Sequence, residues 1–375
     1  MNIRVKDLEE GCIISEDVLG LTNNPLVRKR TVISAVHIEV LEAFQIQQVS
    51  VLSRKNDGTA LSPEKDLKQE ALTQGDIKSH HSMSEDSTQP QQDFDEMYQA
   101  AVSFYRTEFS NWQAGTKVDI VAIKKMILPL VQQVELNKQH LYNLHHLSNA
   151  KNYIAHHSVA VGIISSLLAR KIGCDQAFCI QMAMAGVLAD VGMAKMPNSL
   201  LTKATLLTKD ENIEIKKHPV YSYQYVMDTP LLKKEMKQAI YQHHERFDGS
   251  GYPKGEKGDQ ITLYAQIISI ADVYHAMTSE RLYRAKQSPF KALETILEDE
   301  FGKFDIVAVK ALQELIGNLA IGTKVELSDG RIAEVIFTQP DYLTRPMVKD
   351  VESGEIIDLT RHRKIYIEGI KSFTA

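Results

Sequence analysis

The sequence contains little cysteine, little tryptophan and no long uninterrupted apolar run. Only three cysteines and one tryptophan occur among its 375 residues. A sparse, odd set of thiols argues against a disulfide framework and is typical of a reducing compartment. The longest apolar run, 159–169, is interrupted by Gly162, Ser165 and Ser166 and is too short for a membrane span. The first residues lack a signal-peptide pattern. We therefore expect free thiols, no membrane span and a cytoplasmic location.

Acidic side chains slightly outnumber basic ones. The chain has 43 basic and 48 acidic side chains, for a formal net charge of −5. Nucleic-acid-binding surfaces are usually strongly basic, so we expect no DNA partner. The length allows two or three domains and a sizeable buried core.

Composition and hydrophobic periodicity change along the chain and predict five segments. They are a small β-rich module at 1–53, a flexible linker at 54–92, a helical connector at 93–149, a dense helical domain at 150–319 and a β-rich module at 320–375. In the first module, strand-like runs at 3–5, 12–15, 32–34 and 48–52 accompany a helix near 35–44. The connector pattern predicts two long helices that separate near Gly115. In the last module we expect strands at 325–327, 331–337, 347–350, 356–359 and 364–367.

The most informative motif is HHERFDGSGYP, at 243–253. At helical spacing, Met236, Ile240, His243 and His244 share one face, so both imidazoles follow the apolar stripe inward. Neighbouring buried histidines repel each other once charged. This arrangement therefore favours neutral rings bound to a metal ion.

Two aspartates lie in strongly apolar surroundings, Asp190 within 180–193 and Asp272 within 267–274. A buried carboxylate is costly unless it is paired or binds a cation. A helix cap or a buried ion pair would explain either aspartate alone. Their occurrence alongside the adjacent histidines favours a metal site.

Two further histidines fit the same site, although each alone would be read as an ordinary core or surface histidine. His157 lies on the buried stripe of a helical segment, and His218 precedes a proline at a loop–helix junction. A set of nitrogen and oxygen ligands suits iron, manganese, zinc or nickel. The set is too large for one tetrahedral ion, and two-metal sites hydrolyse phosphoesters. The candidate ligands are His157, Asp190, His218, His243, His244 and Asp272.

The order of these residues resembles the HD-GYP family of cyclic di-GMP phosphodiesterases, a branch of the HD metal-dependent phosphohydrolases, over about 150–317. The HHExxDGxGYP element matches 243–253, the HSxxV element 157–161 and the ADxY element 271–274. The resemblance implies a mainly α fold, with an HD-type helical bundle flanked by small β-rich N- and C-terminal modules. It also implies cyclic di-GMP as the substrate and Asp190 as the catalytic carboxylate that bridges two divalent metals.

The family's HDIGK pattern is altered at 189–193. Its histidine ligand is replaced by Ala189, and its lysine, linked to protonation of the leaving group, by Met193. The carboxylate that binds a third metal in some members is replaced by Tyr153. By this resemblance, Asp190 and the histidines at 218, 243 and 244 hold one firm metal. The other site keeps three ligands, at 157, 190 and 272, and should bind iron or manganese weakly.

Two residues are candidates to compensate for these losses. His275 lies one helical turn beyond Asp272, although a helix-surface or supporting histidine is the simpler interpretation. Lys195 lies two residues after Met193, and its direction cannot be read from the sequence.

Substrate contacts are predicted on two segments. Gly251 allows a tight turn beside the metals, and Tyr252 with Pro253 forms an apolar wall on which a guanine can stack. An ordinary tight turn is the alternative. Arg281 and Arg284, three residues apart in the TSxRPYR-like run, suit phosphates, but they equally suit an exposed salt-bridged pair.

Three functions follow from these observations. The first is a cyclic di-GMP phosphodiesterase impaired at Ala189 and Met193. The second is an inactive relative that senses the dinucleotide or a signalling protein partner. The third is an HD-type phosphohydrolase for another nucleotide. The helices at 93–149 could also support a homodimer.

Overall fold

The computed structural model describes the chain in two compact units, Met1–Asp86 and Ser87–Ala375. The residues it describes are 2–16, 18–19, 25–27, 29–33, 37–38, 41, 46, 48–52, 93–280, 286–299 and 302–371. The predicted linker at 54–92 lies outside them, as does most of the helix predicted near 35–44.

The first unit is built from short antiparallel strands around a small apolar core. Strand β1 (Asn2–Arg4) pairs with β4 (Gln48–Ser50), and β2 (Val18–Leu19) pairs with β3 (Pro25–Val27). Among the described residues of the predicted runs at 12–15 and 32–34, Ile13 forms an isolated bridge with Val32, and Ile14 forms one with Val51. Alternating burial places apolar side chains of these segments in one cluster.

The second unit is mainly helical. Its helices are α1 (Phe94–Gln113), α2 (Ile120–Leu136), α3 (Gln139–Leu147), α4 (Tyr153–Ile172), α5 (Gln176–Leu188), α6 (Asn198–Leu201), α7 (Lys209–Ile215), α8 (His218–Val226), α9 (Lys234–Gln242), α10 (Leu263–Thr278), α11 (Pro289–Asp299) and α12 (Ile306–Ile316). A 3₁₀ turn, Val191–Lys195, follows α5.

The connector holds three helices where the sequence pattern predicts two. Helix α2 is capped after Leu136 by Asn137, which has an extended backbone and accepts a hydrogen bond from the Gln139 amide at 3.0 Å. An asparagine side chain that bonds the backbone in this way competes with the helix. The apolar periodicity continues through the break into α3 and therefore did not reveal it.

Helices α4 and α5 form the centre of the unit. The stretch Gln176–Lys195 is apolar and long enough to cross a membrane, but 67% of its most apolar 18-residue segment is buried inside the protein. The stretch is therefore explained as part of the protein core. The packing brings the N-terminal part of α4 beside the C-terminal end of α5.

A five-stranded antiparallel sheet follows α12, in the order β8-β7-β6-β5-β9. The strands are β5 (Lys324–Leu327), β6 (Ile332–Phe337), β7 (Met347–Asp350), β8 (Ile356–Asp358) and β9 (Ile367–Ile370). The last strand begins later than the predicted run at 364–367, because a turn closed by the Ile365 amide on the His362 carbonyl precedes it. Apolar residues of the sheet join the helical core.

Candidate metal centre

The six predicted ligand side chains lie together at one end of the helical core. They form two groups that share Asp190, and within each group the candidate ligand atoms lie within 4.8 Å of one another. One group is Asp190, His218, His243 and His244, and the other is His157, Asp190 and Asp272. The structure therefore brings together residues that are separated by more than a hundred positions in the chain.

Element ends supply most of these side chains. Asp190 lies between α5 and the 3₁₀ turn, His218 begins α8, and the adjacent histidines follow directly after α9. Gly192 allows the 3₁₀ turn to touch α8, since a Cβ there would lie 2.2 Å from the His218 carbonyl oxygen. The Gly192 amide also donates to the Ser222 hydroxyl at 2.8 Å. These contacts fix Asp190 beside His218.

The backbone sets the tautomers of His218 and His243. Nδ1 of His218 donates to the Ile215 carbonyl at 2.8 Å, and Nδ1 of His243 donates to the Ile240 carbonyl at 2.6 Å. A neutral imidazole carries one N–H, so both Nε2 atoms present lone pairs, which face each other at 3.3 Å. Asp190 Oδ1 lies 3.1 Å from His218 Nε2 and has no hydrogen-bond donor among the described residues.

This geometry fits a cation. Without one, the rings could satisfy Asp190 only by taking up extra protons, and each extra proton would charge a ring whose Nδ1–H is already committed. Two charged rings at this separation repel each other in a buried site. A divalent cation with nitrogen and oxygen ligands removes the conflict.

The second group is centred on His157. Its Nε2 lies 2.8 Å from Asp272 Oδ1 and 3.6 Å from Asp190 Oδ2. A narrow cleft adjoins this group and is lined in part by Ala189 and Gly186. Among the described residues, no additional side chain joins either group in place of the imidazole that is missing at position 189.

Burial and neighbouring charges determine the protonation of these groups. Burial alone would raise the pKa of the Asp190 carboxyl, but the close approach of the His218 and His243 rings outweighs burial and holds that pKa well below its usual range. Burial and the repulsion of His243 lower the pKa of His244 well below its ordinary value. An ionised aspartate beside a neutral imidazole is the state that metal binding requires.

The glycine turn folds back against the ligands as the motif predicts. A Cβ on Gly251 would lie 2.5 Å from the His244 carbonyl oxygen, so only glycine allows this approach. The Tyr252 ring stacks on His244 with 4.7 Å between centroids, and Pro253 follows it, half-buried. Lys216 Nζ lies 5.2 Å from the centroid of the Tyr252 ring.

Sequence reasoning missed the buried polar groups that hold this turn. Glu245 is fully buried and accepts the amides of Lys254 at 2.8 Å and Glu256 at 3.1 Å. Gln242, also buried, donates to the Gln260 carbonyl at 2.8 Å. In the sequence, these two residues are distinguished only by their position inside or beside the histidine motif, where the imidazoles are the more evident functional groups.

The remaining predicted residues fall in different places. Arg281 and Arg284 lie outside the described residues, so their predicted role stays a prediction. Lys195 is exposed and donates to the Gln224 side chain at 2.9 Å. His275 is buried and lies against His157, with 3.0 Å between their Nδ1 atoms.

Known proteins contain a similar domain. The HD domain family model matches residues 131–306. The chain is 29% identical over 250 residues to the cyclic di-GMP phosphodiesterase PA4108 of Pseudomonas aeruginosa, covering 67% of this chain and 59% of that protein. It is 34% identical over 150 residues to the cyclic di-GMP phosphodiesterase response regulator RpfG of Xanthomonas campestris pv. campestris, covering 40% of each.

A relative with another named substrate also matches. The chain is 33% identical over 167 residues to the 3'3'-cGAMP-specific phosphodiesterase 3 of Vibrio cholerae, covering 44% of this chain and 36% of that protein. The chain thus spans between about a third and three fifths of the length of these relatives.

A solved structure shares the fold. The HDG"Y"P protein Bd1817 of Bdellovibrio bacteriovorus aligns with a TM-score of 0.50 at 17% identity, over 84% of this chain and 98% of that one. At this identity the likeness shows the fold alone. The predicted mainly α fold with small terminal sheets is confirmed.

Proposed function

Since residues 131–306 are an HD domain and the resemblance to the HD-GYP family is confirmed, we propose that this protein hydrolyses a phosphodiester bond of a cyclic dinucleotide. Cyclic di-GMP is the substrate that we place first. Ala189 and Met193 make the reaction slow. We place the protein in the cytoplasm, as a component of a signalling pathway.

One observation carries the proposal. Two groups of nitrogen and oxygen ligands share the carboxylate of Asp190. Bridged pairs of divalent metals are a recurrent device for phosphodiester hydrolysis. An HD domain implies a divalent metal cofactor, and the residues present fit one.

The six candidate ligands would hold two metals. Asp190 and the histidines at 218, 243 and 244 would hold the firm metal, and His157 and Asp272 would complete the weaker one with Asp190. Iron or manganese suits both groups. Metals bound there would act as Lewis acids on a phosphoester and lower the pKa of a water molecule.

Substrate binding would use the turn beside His244. The Tyr252 ring offers a face to a guanine base, with Gly251 and Pro253 fixing its direction. Lys216 places a cation beside the same ring, where a phosphate of the dinucleotide would be neutralised. Arg281 and Arg284 are proposed as further phosphate contacts.

Leaving-group protonation is the weakest step. Met193 cannot donate a proton, and Lys195 donates to Gln224 instead. Loss of a general acid costs about 10²- to 10⁴-fold in rate. We therefore expect slow turnover.

A cyclic-dinucleotide sensor without hydrolysis is the second candidate, because the altered positions affect catalysis and not the Tyr252 wall. Such a sensor would act through a signalling partner, and the helices at 93–149 would serve dimer formation. Retention of the GYP element argues against hydrolysis of an unrelated nucleotide.

The test uses the whole 375-residue chain purified without oxygen. Bound metals are counted, and turnover of cyclic di-GMP and 3'3'-cGAMP is followed with manganese or iron. We expect slow hydrolysis in the wild type, none in Asp190→Asn, and faster hydrolysis in Ala189→His with Met193→Lys. Met227→Lys, on an exposed position outside the altered motif, is the control.

The outcomes separate the candidates. Fast turnover by the wild type with two metals bound would contradict impairment. Tight dinucleotide binding without turnover, even in the restored double variant, would favour the sensor. Absence of both binding and turnover for either dinucleotide would overturn the proposal.

A further inference from the structure

A buried histidine outside the ligand set, His275, contacts the ring of His157 on the side opposite the carboxylates. His275 is 1% exposed, and its Nδ1 lies 3.0 Å from His157 Nδ1. The opposite ring nitrogen of His157, Nε2, faces the carboxylates of Asp272 and Asp190. The Ser279 hydroxyl lies 3.1 Å from Nε2 and 3.2 Å from Nδ1 of His275.

We infer that His275 is a positioning residue that accepts the Nδ1–H of His157 and thereby frees Nε2 of His157 for the weaker metal. This inference rests on the proposed metal centre. The count of ring protons determines which nitrogen donates. Two nitrogens at this distance share one hydrogen, so one ring donates and the other accepts.

Two arrangements satisfy that count. With Nε2–H of His157 donated to Asp272, His157 Nδ1 is an acceptor and His275 must donate from its own Nδ1. When a metal takes Nε2 of His157, that proton is released to solvent, and the hydrogen between the two Nδ1 atoms passes from His275 to His157. His275 then accepts at Nδ1 and takes up one solvent proton at Nε2, which it donates to Ser279. Both rings stay neutral, and each keeps one N–H.

The identity of the acceptor bears on metal affinity. A ligand histidine is usually supported by a carboxylate or carbonyl oxygen, which strengthens its donor nitrogen. A neutral imidazole is a weaker support than a carboxylate. His275 therefore orients His157 but leaves the second metal weakly held, in the same group that lacks an imidazole at Ala189.

Matched substitutions test the position of the accepting atom. Asparagine at 275 offers an amide oxygen where His275 has Nδ1, whereas glutamine extends its amide toward the position of Nε2. Dissociation constants for manganese are measured at the first and second equivalents with the whole 375-residue chain. We expect His275→Gln to weaken the second by about 10- to 100-fold, His275→Asn to stay within a few fold, and His275→Asp to tighten it.

Two controls accompany these variants. The Tyr153 hydroxyl also lies 3.2 Å from His157 Nδ1. The variant Tyr153→Phe therefore tests whether Tyr153, instead of His275, accepts the Nδ1–H of His157. His146→Asp, on an exposed position, introduces the same charge change elsewhere. The first equivalent of manganese should bind unchanged in every variant.

Ring ¹⁵N spectra give an independent readout. With zinc as a diamagnetic probe, the His275 resonances are identified by their loss in His275→Asn. They should change from those of the Nδ1–H tautomer to those of the Nε2–H tautomer as the second equivalent binds.

Loss of the second metal in Tyr153→Phe, without its loss in His275→Gln, would overturn the inference. So would equal affinities in His275→Asn and His275→Gln, or a wild type that binds one metal only. None of these measurements uses a dinucleotide, so failure of the proposed reaction remains distinguishable.

Discussion

Gly162 of α4 and Gly186 of α5 meet so closely that a Cβ on Gly186 would lie 2.9 Å from the Gly162 Cα. A Cβ on Gly162 would in turn lie 2.5 Å from Val187 Cγ2. The two helices therefore touch through their backbones. His157 lies in α4 and Asp190 lies just beyond α5, so this contact supports the second ligand group.

Gly186→Ala should push the two helices apart. Overpacking of a buried contact costs typically about 1–3 kcal/mol. We expect that loss in the free energy of unfolding, measured by urea with the fluorescence of Trp112, the single tryptophan, which is buried in this unit. The second manganese equivalent should also bind more weakly.

Gly369→Ala is the matched control, since no atom of the described residues, apart from its chain neighbours, lies within 4 Å of the Cβ that it adds. Equal stability of both variants would show that α4 and α5 can separate without cost.

The sequence could predict the ligand set because each member interrupts an apolar pattern or belongs to a distinctive motif. Asp190 and Asp272 were visible as carboxylates in apolar runs, and His243 with His244 as a pair on a buried stripe. It could not predict the carbonyl partners of Nδ1, because those depend on how each helix ends. Nor could it predict the buried contact of His275 with His157, which joins residues 118 positions apart.

The helical core was predictable from the sequence, but the shortest strands and the close contact between helices were not. Long periodic segments gave the helical core, whereas strands of two or three residues, such as β2, carry too little pattern to detect. Gly162 was visible only as a break in an apolar run, because its partner Gly186 belongs to another helix. Close backbone contact between helices is a tertiary property and has no local signal.

Glu245→Gln should destabilise the glycine turn. Each carboxylate oxygen of Glu245 accepts one backbone amide, and glutamine would present an NH₂ to one of them. A buried donor left without its acceptor costs about 1–3 kcal/mol. We expect that loss in urea unfolding, together with weaker binding of the first manganese. Glu352→Gln, on an exposed residue, is the control, and an unchanged Glu245→Gln protein would contradict this role.

Removal of metal should lower thermal stability. A ligand that binds only the folded state at a hundred times its dissociation constant stabilises it by about 2.7 kcal/mol. We expect manganese to raise the Tm of chelator-treated protein and Asp190→Asn to abolish most of the increase, because Asp190 belongs to both groups. An equal increase in Asp190→Asn would place the metal elsewhere. Calorimetry with and without manganese measures the difference.

Acid should destabilise the helical unit in part through His145. This ring is 7% exposed, and its Nδ1 donates to the Tyr142 carbonyl at 2.7 Å. Burial, with the positive charges of His146 and Lys286, lowers the pKa of His145 to about 3. A folded-state pKa below the unfolded value means that the neutral ring stabilises the fold fully above pH 6.5, and that this contribution is lost as the pH falls toward 3.

His145→Gln isolates that contribution, because glutamine is neutral throughout this range. Between pH 7 and pH 4.5 the wild type should lose about 2 kcal/mol more unfolding free energy than the variant. His362→Gln, on an exposed position, should retain the wild-type dependence on pH. Parallel curves for wild type and His145→Gln would contradict the assignment. Because Trp112 reports the helical unit, urea unfolding at each pH attributes the loss to the unit that contains His145.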